Sequence, residues 1–426
     1  MKSIVSIAFC LFAMAAGAQE ILPPSQIMLR NGVALSVGTS HASPCIYDFN
    51  KDGIDDLLVG EFGDQPVDSS NKAAHAYVRS KLRIYINKGT NDKPVYDDFT
   101  YLQAAGEDAF VPVTCCISFQ PRFVDLNGDG IDDIVTGSYP GDIYLFTGEK
   151  NGTFSKGEII YRMDSIHSIC PEPIDWDNDG LVDLLVSYRS GNVWLIKNKG
   201  TKTHPIWEPA KEIALEPVTY MFEEFNQKRK DMPLHAFPAD WDSDGLFDLM
   251  CCDEGGDVFW YKNIGEKGKP SFSSPILLYD NKSGERYADP VEYIGYRLKV
   301  FVYDYNKDGK LDILAGDTYE GKKKVRTLTP KEEYTKAKLI KEQDALKKAF
   351  VFNQNEEKRL ISEIPREKLP LRDKNYHKEL RKLLPKKFVK KSQKVQEKYF
   401  ATFDGIRDLK EFEFVGTGYV WVFYQK

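Results

Sequence analysis

The chain lacks most features that would name a class at once. Seven cysteines in 426 residues are too few for a disulfide scaffold. Charge of one sign is lacking too: 58 Lys and Arg face 64 Asp and Glu, so the chain as a whole offers no field that would draw nucleic acid. Past the first twenty residues no run is apolar enough to cross a bilayer. No catalytic motif stands out. What is present is 42% hydrophobic residues, with 23 Tyr and 25 Phe, enough to bury a large core and to exclude disorder as the overall state. The length suits two or three ordinary domains, or one large all-β domain with additions.

Met1–Glu20 reads as a secretory signal. Lys2 is the basic start, Ile4 to Ala15 is apolar, and Ala16-Gly17-Ala18 is a small-x-small cleavage site. Cys10 follows Phe9, where a lipidation signal would place a small residue, so it is expected to leave with the peptide. Residues 1–18 are thus the expected signal peptide, and the mature protein is expected to be secreted or periplasmic, with no transmembrane segment.

Five segments align without gaps: Asp48-Phe-Asn50-Lys-Asp52-Gly53-Ile-Asp-Asp56, Asp125-Leu-Asn127-Gly-Asp129-Gly130-Ile-Asp-Asp133, Asp175-Trp-Asp177-Asn-Asp179-Gly180-Leu-Val-Asp183, Asp240-Trp-Asp242-Ser-Asp244-Gly245-Leu-Phe-Asp248 and Asp304-Tyr-Asn306-Lys-Asp308-Gly309-Lys-Leu-Asp312. Calcium takes six to eight hard oxygens at about 2.3–2.6 Å. Side chains at positions 1, 3 and 5 of a tight loop converge on one point, and Gly at position 6 permits the turn. An EF-hand closes with a Glu at position 12 on a helix; here the closing carboxylate is at position 9, and apolar runs such as Leu57-Leu58-Val59 and Leu184-Leu185-Val186 follow it. The loop therefore joins two strands. Each copy continues through a Gly turn into an aromatic strand, and three copies then run Asn-x-Gly to Pro plus an aromatic, as at Asn198 to Trp207. Four antiparallel strands per repeat make a propeller blade.

These residues resemble the FG-GAP/VCBS repeat family, the calcium-loop blades also seen in integrin α-subunit heads. The resemblance covers residues 40–320 and the last strand, and implies a calcium-bearing propeller, with Ca2+ as the only cofactor, up to five structural ions, and no particular activity. The motif starts are 77, 50, 65 and 64 residues apart. After an insertion at 321–410, the residues left beyond the fifth motif suffice for three strands, and Gln26–Val37 can supply the fourth. The expectation is an all-β, five-bladed propeller over 19–320, completed by a last strand in 411–426 and closed by an N-terminal strand, with a helical hairpin inserted in the last blade.

The insertion holds 27 Lys and Arg against 13 Asp and Glu. Its helices are expected over Thr327–Ala349, Glu356–Lys368 and Asp373–Phe400. They would lie on the acidic propeller, or present a basic surface to a polyanion such as an acidic polysaccharide.

The connections between second and third strands, and those entering each blade, lie opposite the calcium loops. Thirteen residues past each first Asp stand Glu61, Ser138, Tyr188, Asp253 and Asp317, expected to ring the channel mouth with Tyr139, Arg189 and Glu254. His41, His167 and His235 precede motifs by five to eight residues and are expected at the same end. His41, His167, His235, Glu61, Asp253 and Tyr188 are therefore the catalytic candidates, set against ordinary packing roles for the same residues. Six cysteines remain after cleavage, Cys45, Cys115, Cys116, Cys170, Cys251 and Cys252, and vicinal or cross-blade disulfides are open to them. Two functions are carried forward. One is a monomeric binding propeller for a carbohydrate or protein; the other is a polysaccharide lyase or glycoside hydrolase with its site at the mouth.

Overall fold

The computed structural model describes residues 20–68, 70, 77–114, 117–163, 166–188, 193–222, 227–231, 235–281, 294–364 and 376–426. Five antiparallel sheets form a ring, a five-bladed propeller with a helical region near the C-terminus. From the inside outward, blade 1 is Ser43–Tyr47, Asp56–Glu61, Val78–Tyr85 and Thr100–Tyr101. Blade 2 is Arg122–Val124, Asp133–Gly137, Asp142–Phe146 and Glu158–Arg162. Blade 3 is Ile169–Ile174, Asp183–Tyr188, Val193–Ile196 and Lys211–Ile213, and blade 4 is His235–Ala239, Asp248–Cys252, Val258–Tyr261 and Ile276–Tyr279. Blade 5 takes Tyr296–Tyr303, Asp312–Lys324 and Phe412–Phe423 from the C-terminal part and Ser25–Gln26 from the N-terminus, with Ser25 opposite Val422. Ser36–Val37 adds to the same last strand. The ends of the chain thus close the ring, which leaves no free sheet edge at the seam.

Apolar side chains of the second and inner strands fill the spaces between blades. Leu57, Val59 and Leu314 pack with Val420 and Val422 at the seam, and Met250 and Val258 pack with Val300 and Ile313 between blades 4 and 5. One repeat position sets the blade spacing. Twelve residues past the first Asp stand Gly60, Gly137, Ser187, Cys252 and Gly316. A Cβ on Gly60, Gly137 or Gly316 would fall within 2.2 Å of a carbonyl oxygen of the next blade's entering segment. Where a side chain is present it bonds across instead: Ser187 Oγ accepts from the Ala236 amide at 3.2 Å, and Cys252 Sγ meets the Leu298 carbonyl at 2.8 Å.

Helix α1 (Pro330–Ser362) starts in a capping box of Thr329 and Glu332, with Pro330 in the first turn. It runs through the 349–356 break expected from sequence. Helix α2 is Tyr376–Leu383, and α3, Lys386–Arg407, follows Pro385. Phe350 of α1 stacks on Tyr399 of α3 at 4.5 Å. The inserted segment starts four residues later than expected, because the second blade 5 strand continues to Lys324, paired with Phe412, while its end at 411 falls within one residue of the expected 410. Described ion pairs of the helices stay within the hairpin or go to Glu411 at its base, which Lys324 and Lys336 flank. A small hairpin of Val218–Phe222 and Gln227–Asp231, not foreseen in the sequence, stands between blades 3 and 4.

Candidate functional site

The five acidic loops fold alike. The position 1 carboxylate accepts the amides of positions 5 and 6, as Asp48 does from Asp52 and Gly53 and Asp240 from Asp244 and Gly245. The position 5 carboxylate accepts the amide of position 7, as Asp179 does from Leu181. The position 6 glycines have φ of 83° to 90°. Position 4 is also left-handed, although it holds Lys51, Asn178, Ser243 and Lys307 in four of the loops. Carboxylate oxygens of Asp175, Asp177 and Asp179 lie within 4.8 Å of one another, as do those of Asp240, Asp242 and Asp244. In both loops the position 3 carboxylate keeps one buried oxygen without a hydrogen bond, Asp177 Oδ1 and Asp242 Oδ1, while its other oxygen is met by Lys197 or Lys262. Hard oxygens so placed fit calcium. Loops 1, 2 and 5 have Asn50, Asn127 and Asn306 at position 3, which keeps the oxygen and removes one charge.

Position 9 has a second employment. Asp56, Asp133, Asp183, Asp248 and Asp312 are fully buried. Each accepts the position 2 amide with one oxygen and an amide just past the third strand with the other: Asp56 takes Phe49 and Asn87, Asp183 takes Trp176 and Asn198, and Asp312 takes Tyr305 and Gln425. Asn198 in turn accepts from Gly200 and Ile206, and Asn87 and Asn263 do the same in their blades. This chain ties the loop to the turn that leads into the fourth strand, and explains the Asn-x-Gly spacing.

The central channel is closed by its own side chains. Three residues before the motif starts stand Cys45, Arg122, Glu172, Phe237 and Phe301, and five before stand Ser43, Gln120, Cys170, His235 and Lys299. Arg122 grips Glu172 with two nitrogens, the second at 2.6 Å, and lies over the rings of Phe237 and Phe301. His235 Nδ1 accepts the Val300 amide at 3.2 Å, so Nε2 carries the proton toward Glu172 at 3.1 Å. Burial lowers the His235 pKa to about 4, which keeps the ring neutral.

The mouth candidates do not converge. His41 is buried beside Ser40 and Phe62. His235 lies inside the channel. His167 is exposed and stacks on Tyr139 at 5.5 Å with nearly parallel rings, and the Tyr77 ring lies tilted to Tyr139 at 6.1 Å. Glu61 is turned into its own blade, bonded to Arg83 and to the Tyr101 hydroxyl at 2.7 Å. Asp253 caps a turn: its Oδ1 accepts from Gly255, Gly256 and Asp257, and burial pushes its pKa up to about 7. Asp317 accepts from Gly295, Tyr419 and the Trp421 indole, and burial raises it to about 6. Ser138 bonds within its own turn to Asp142, and Glu254 pairs with Arg297. Tyr188 ends a strand; its side chain, and Arg189 entirely, lie outside the described residues.

Cys45, Cys170, Cys251 and Cys252 are free and buried, so a 251–252 disulfide and bridges among these four are not formed. Cys115 and Cys116 lie outside the described residues. Burial raises the Cys45 thiol to about 12 and Cys170 to about 11, which leaves them inert. A cavity of about 650 Å³, missed in the sequence, lies between blades 1 and 2, lined by Phe49, Phe99, Tyr101, Asp108 and Phe154 among others. No helix among the described residues is long and apolar enough to cross a membrane.

Fold and loops together define a five-bladed propeller with an acidic loop in every blade. The FG-GAP-like repeat family model matches residues 125–186 and 240–315, so the chain carries FG-GAP-like repeats. Among solved structures, the fold overlaps a GH43 beta-xylosidase/alpha-arabinofuranosidase from a compost microbial metagenome, at 12% identity and a TM-score of 0.37, over 69% of this chain and 90% of that one. A GH43_1 enzyme from Xanthomonas citri overlaps at 11% identity and 0.34, covering 66% and 82%. BBS1N in complex with ARL6DN overlaps at 11% and 0.28, covering 66% and 92%. At these scores the overlaps say nothing about activity.

Proposed function

We propose that this is an exported, calcium-stapled propeller that binds a saccharide at its channel-mouth face and performs no chemistry on it. The closed channel carries the reading. An acid–base pair needs a substrate atom within about 3 Å, yet His235 and Glu172 are sealed from solvent, Glu61 and Asp317 are spent on neighbouring strands, and Asp253 is buried with one oxygen capping a turn and the other unpartnered. What the mouth offers to solvent is the aromatic run Tyr77, Tyr139 and His167. Flat rings of this kind take the apolar face of a sugar, and neighbouring polar groups fix its orientation. Calcium held by positions 1, 3 and 5 would stiffen the opposite face and leave the mouth free for binding.

The test is retention of the purified mature protein, with calcium present, on columns of neutral and acidic polysaccharides. Retention on at least one polysaccharide, lost in Tyr139→Ala with an unchanged melting temperature, is the expected result. Retention that survives Tyr139→Ala moves the site elsewhere, with the cavity between blades 1 and 2 the next place to mutate. The enzyme reading draws on one observation, the two carboxyl groups of Asp253 and Asp317 held protonated toward neutral pH, as general acids are.

A further inference from the structure

We propose that the closed channel binds one small monovalent anion, of halide or formate size, on the ammonium of Lys299. Among the described channel residues one basic side chain has no counter-charge. Arg122 and Glu172 neutralise each other in a two-pronged pair. His235 is neutral by its hydrogen bonds, because a ring nitrogen that accepts an amide N–H carries no proton. The thiols of Cys45, Cys170 and Cys252 are neutral as well. Lys299 remains. It is 2% exposed, the residues on either side of it bond to Cys252 and His235, and among the described residues it has neither ion pair nor hydrogen bond. A buried ammonium without a partner costs several kcal/mol, so the side chain either takes up a counter-ion or gives up its proton.

The polar groups of the same layer point to the same ligand. Ser43 Oγ is buried without a hydrogen-bond partner, and the Gln120 amide lies beside the Cys170 thiol with no bond of normal geometry. The Ser43 hydroxyl and the Gln120 NH₂ are donors, so they can turn toward an anion at no cost in charge. Ser43, Gln120 and Lys299 hold the same place, five residues before the motif, in blades 1, 2 and 5, so ring closure brings them to one level of the channel. Bound water would satisfy the Ser43 hydroxyl but would leave a charged Lys299 uncompensated, and a bromide-independent melting temperature would be the mark of a neutral amine.

The probe is sodium bromide. Crystals of the mature protein grown in it, with data at the bromine absorption edge, are expected to show an anomalous peak beside Lys299 Nζ. In solution at fixed ionic strength, replacing gluconate by bromide should raise the melting temperature by about 2–3 °C at ten times the dissociation constant. The shift should be saturable, and it should vanish in Lys299→Met. Ser43→Ala, which removes one donor and keeps the charge, should weaken the bromide effect several-fold. Bromide peaks confined to the surface, or a shift that Lys299→Met retains, would overturn the proposal.

Discussion

Asp253 shows how a residue can look catalytic and be architectural. One of its oxygens gathers three amides of a tight turn, and burial holds the group protonated to about pH 7. The folded pKa is raised above the unfolded value near 3.9, so the carboxyl favours folding only at low pH, and that contribution is lost as pH rises toward 7. Asp253→Asn keeps the accepting oxygen and removes the charge. Its stability relative to the parent should therefore grow by up to about 1.4 kcal/mol for each pH unit between about 4 and 7, and then level off. Urea denaturation at pH 5, 6 and 7.5 measures this, and a pH-independent difference would mean that Asp253 is ionised in the fold. The histidines teach the same lesson. His235, His41 and His167 stand five, seven and eight residues before their motifs. His235 opens its inner strand, whereas His41 and His167 stand two residues before theirs, which start at Ser43 and Ile169, and His41 lies in a left-handed turn with φ of 54°. Similar distances along the chain thus put one ring in the channel, one under a loop and one on the surface.

Among the elements, the acidic loop and the strand after it were legible in full, because five copies repeat one spacing. The glycine twelve residues past the first Asp was less so: it is Gly in only three blades, and its reason is a neighbouring blade's backbone, which no local pattern reveals. Gly60→Ala should cost more than about 3 kcal/mol by chemical denaturation, since the obstacle is a backbone carbonyl that cannot move aside. A smaller cost would mean that the blades can part at this seam. The helical hairpin was legible as helices, yet its start was misplaced, since the strand that runs on to Lys324 carries no turn to mark where the blade stops. Replacing residues 325–410 by a short turn should leave a folded propeller with the strand signal in circular dichroism intact and the helical signal gone. Loss of cooperative unfolding would show that the hairpin belongs to the core.

For the whole molecule, the ring and its closure followed from arithmetic on the repeat. The channel did not. Its lining differs in every blade, so Arg122, Glu172, His235 and Lys299 look unrelated until the circle closes and the inner strands face one another. The same closure bears on stability. With five acidic loops filled, millimolar calcium should raise the melting temperature by roughly 10 °C or more over the chelated protein. A scan with and without EDTA decides this, and coincident curves would remove the structural role assigned to the loops.

The central claim is recognition without chemistry at the mouth. The most direct measurement incubates the calcium-loaded protein with the polysaccharide that best retains it, then follows binding by calorimetry and cleavage by reducing ends and unsaturated-uronate absorbance in the same sample. The account predicts heat of binding that Tyr139→Ala abolishes, with no new ends and no new absorbance. New ends or new absorbance that appear with turnover would contradict it and return Asp253 to the catalytic candidates, joined by Asp317.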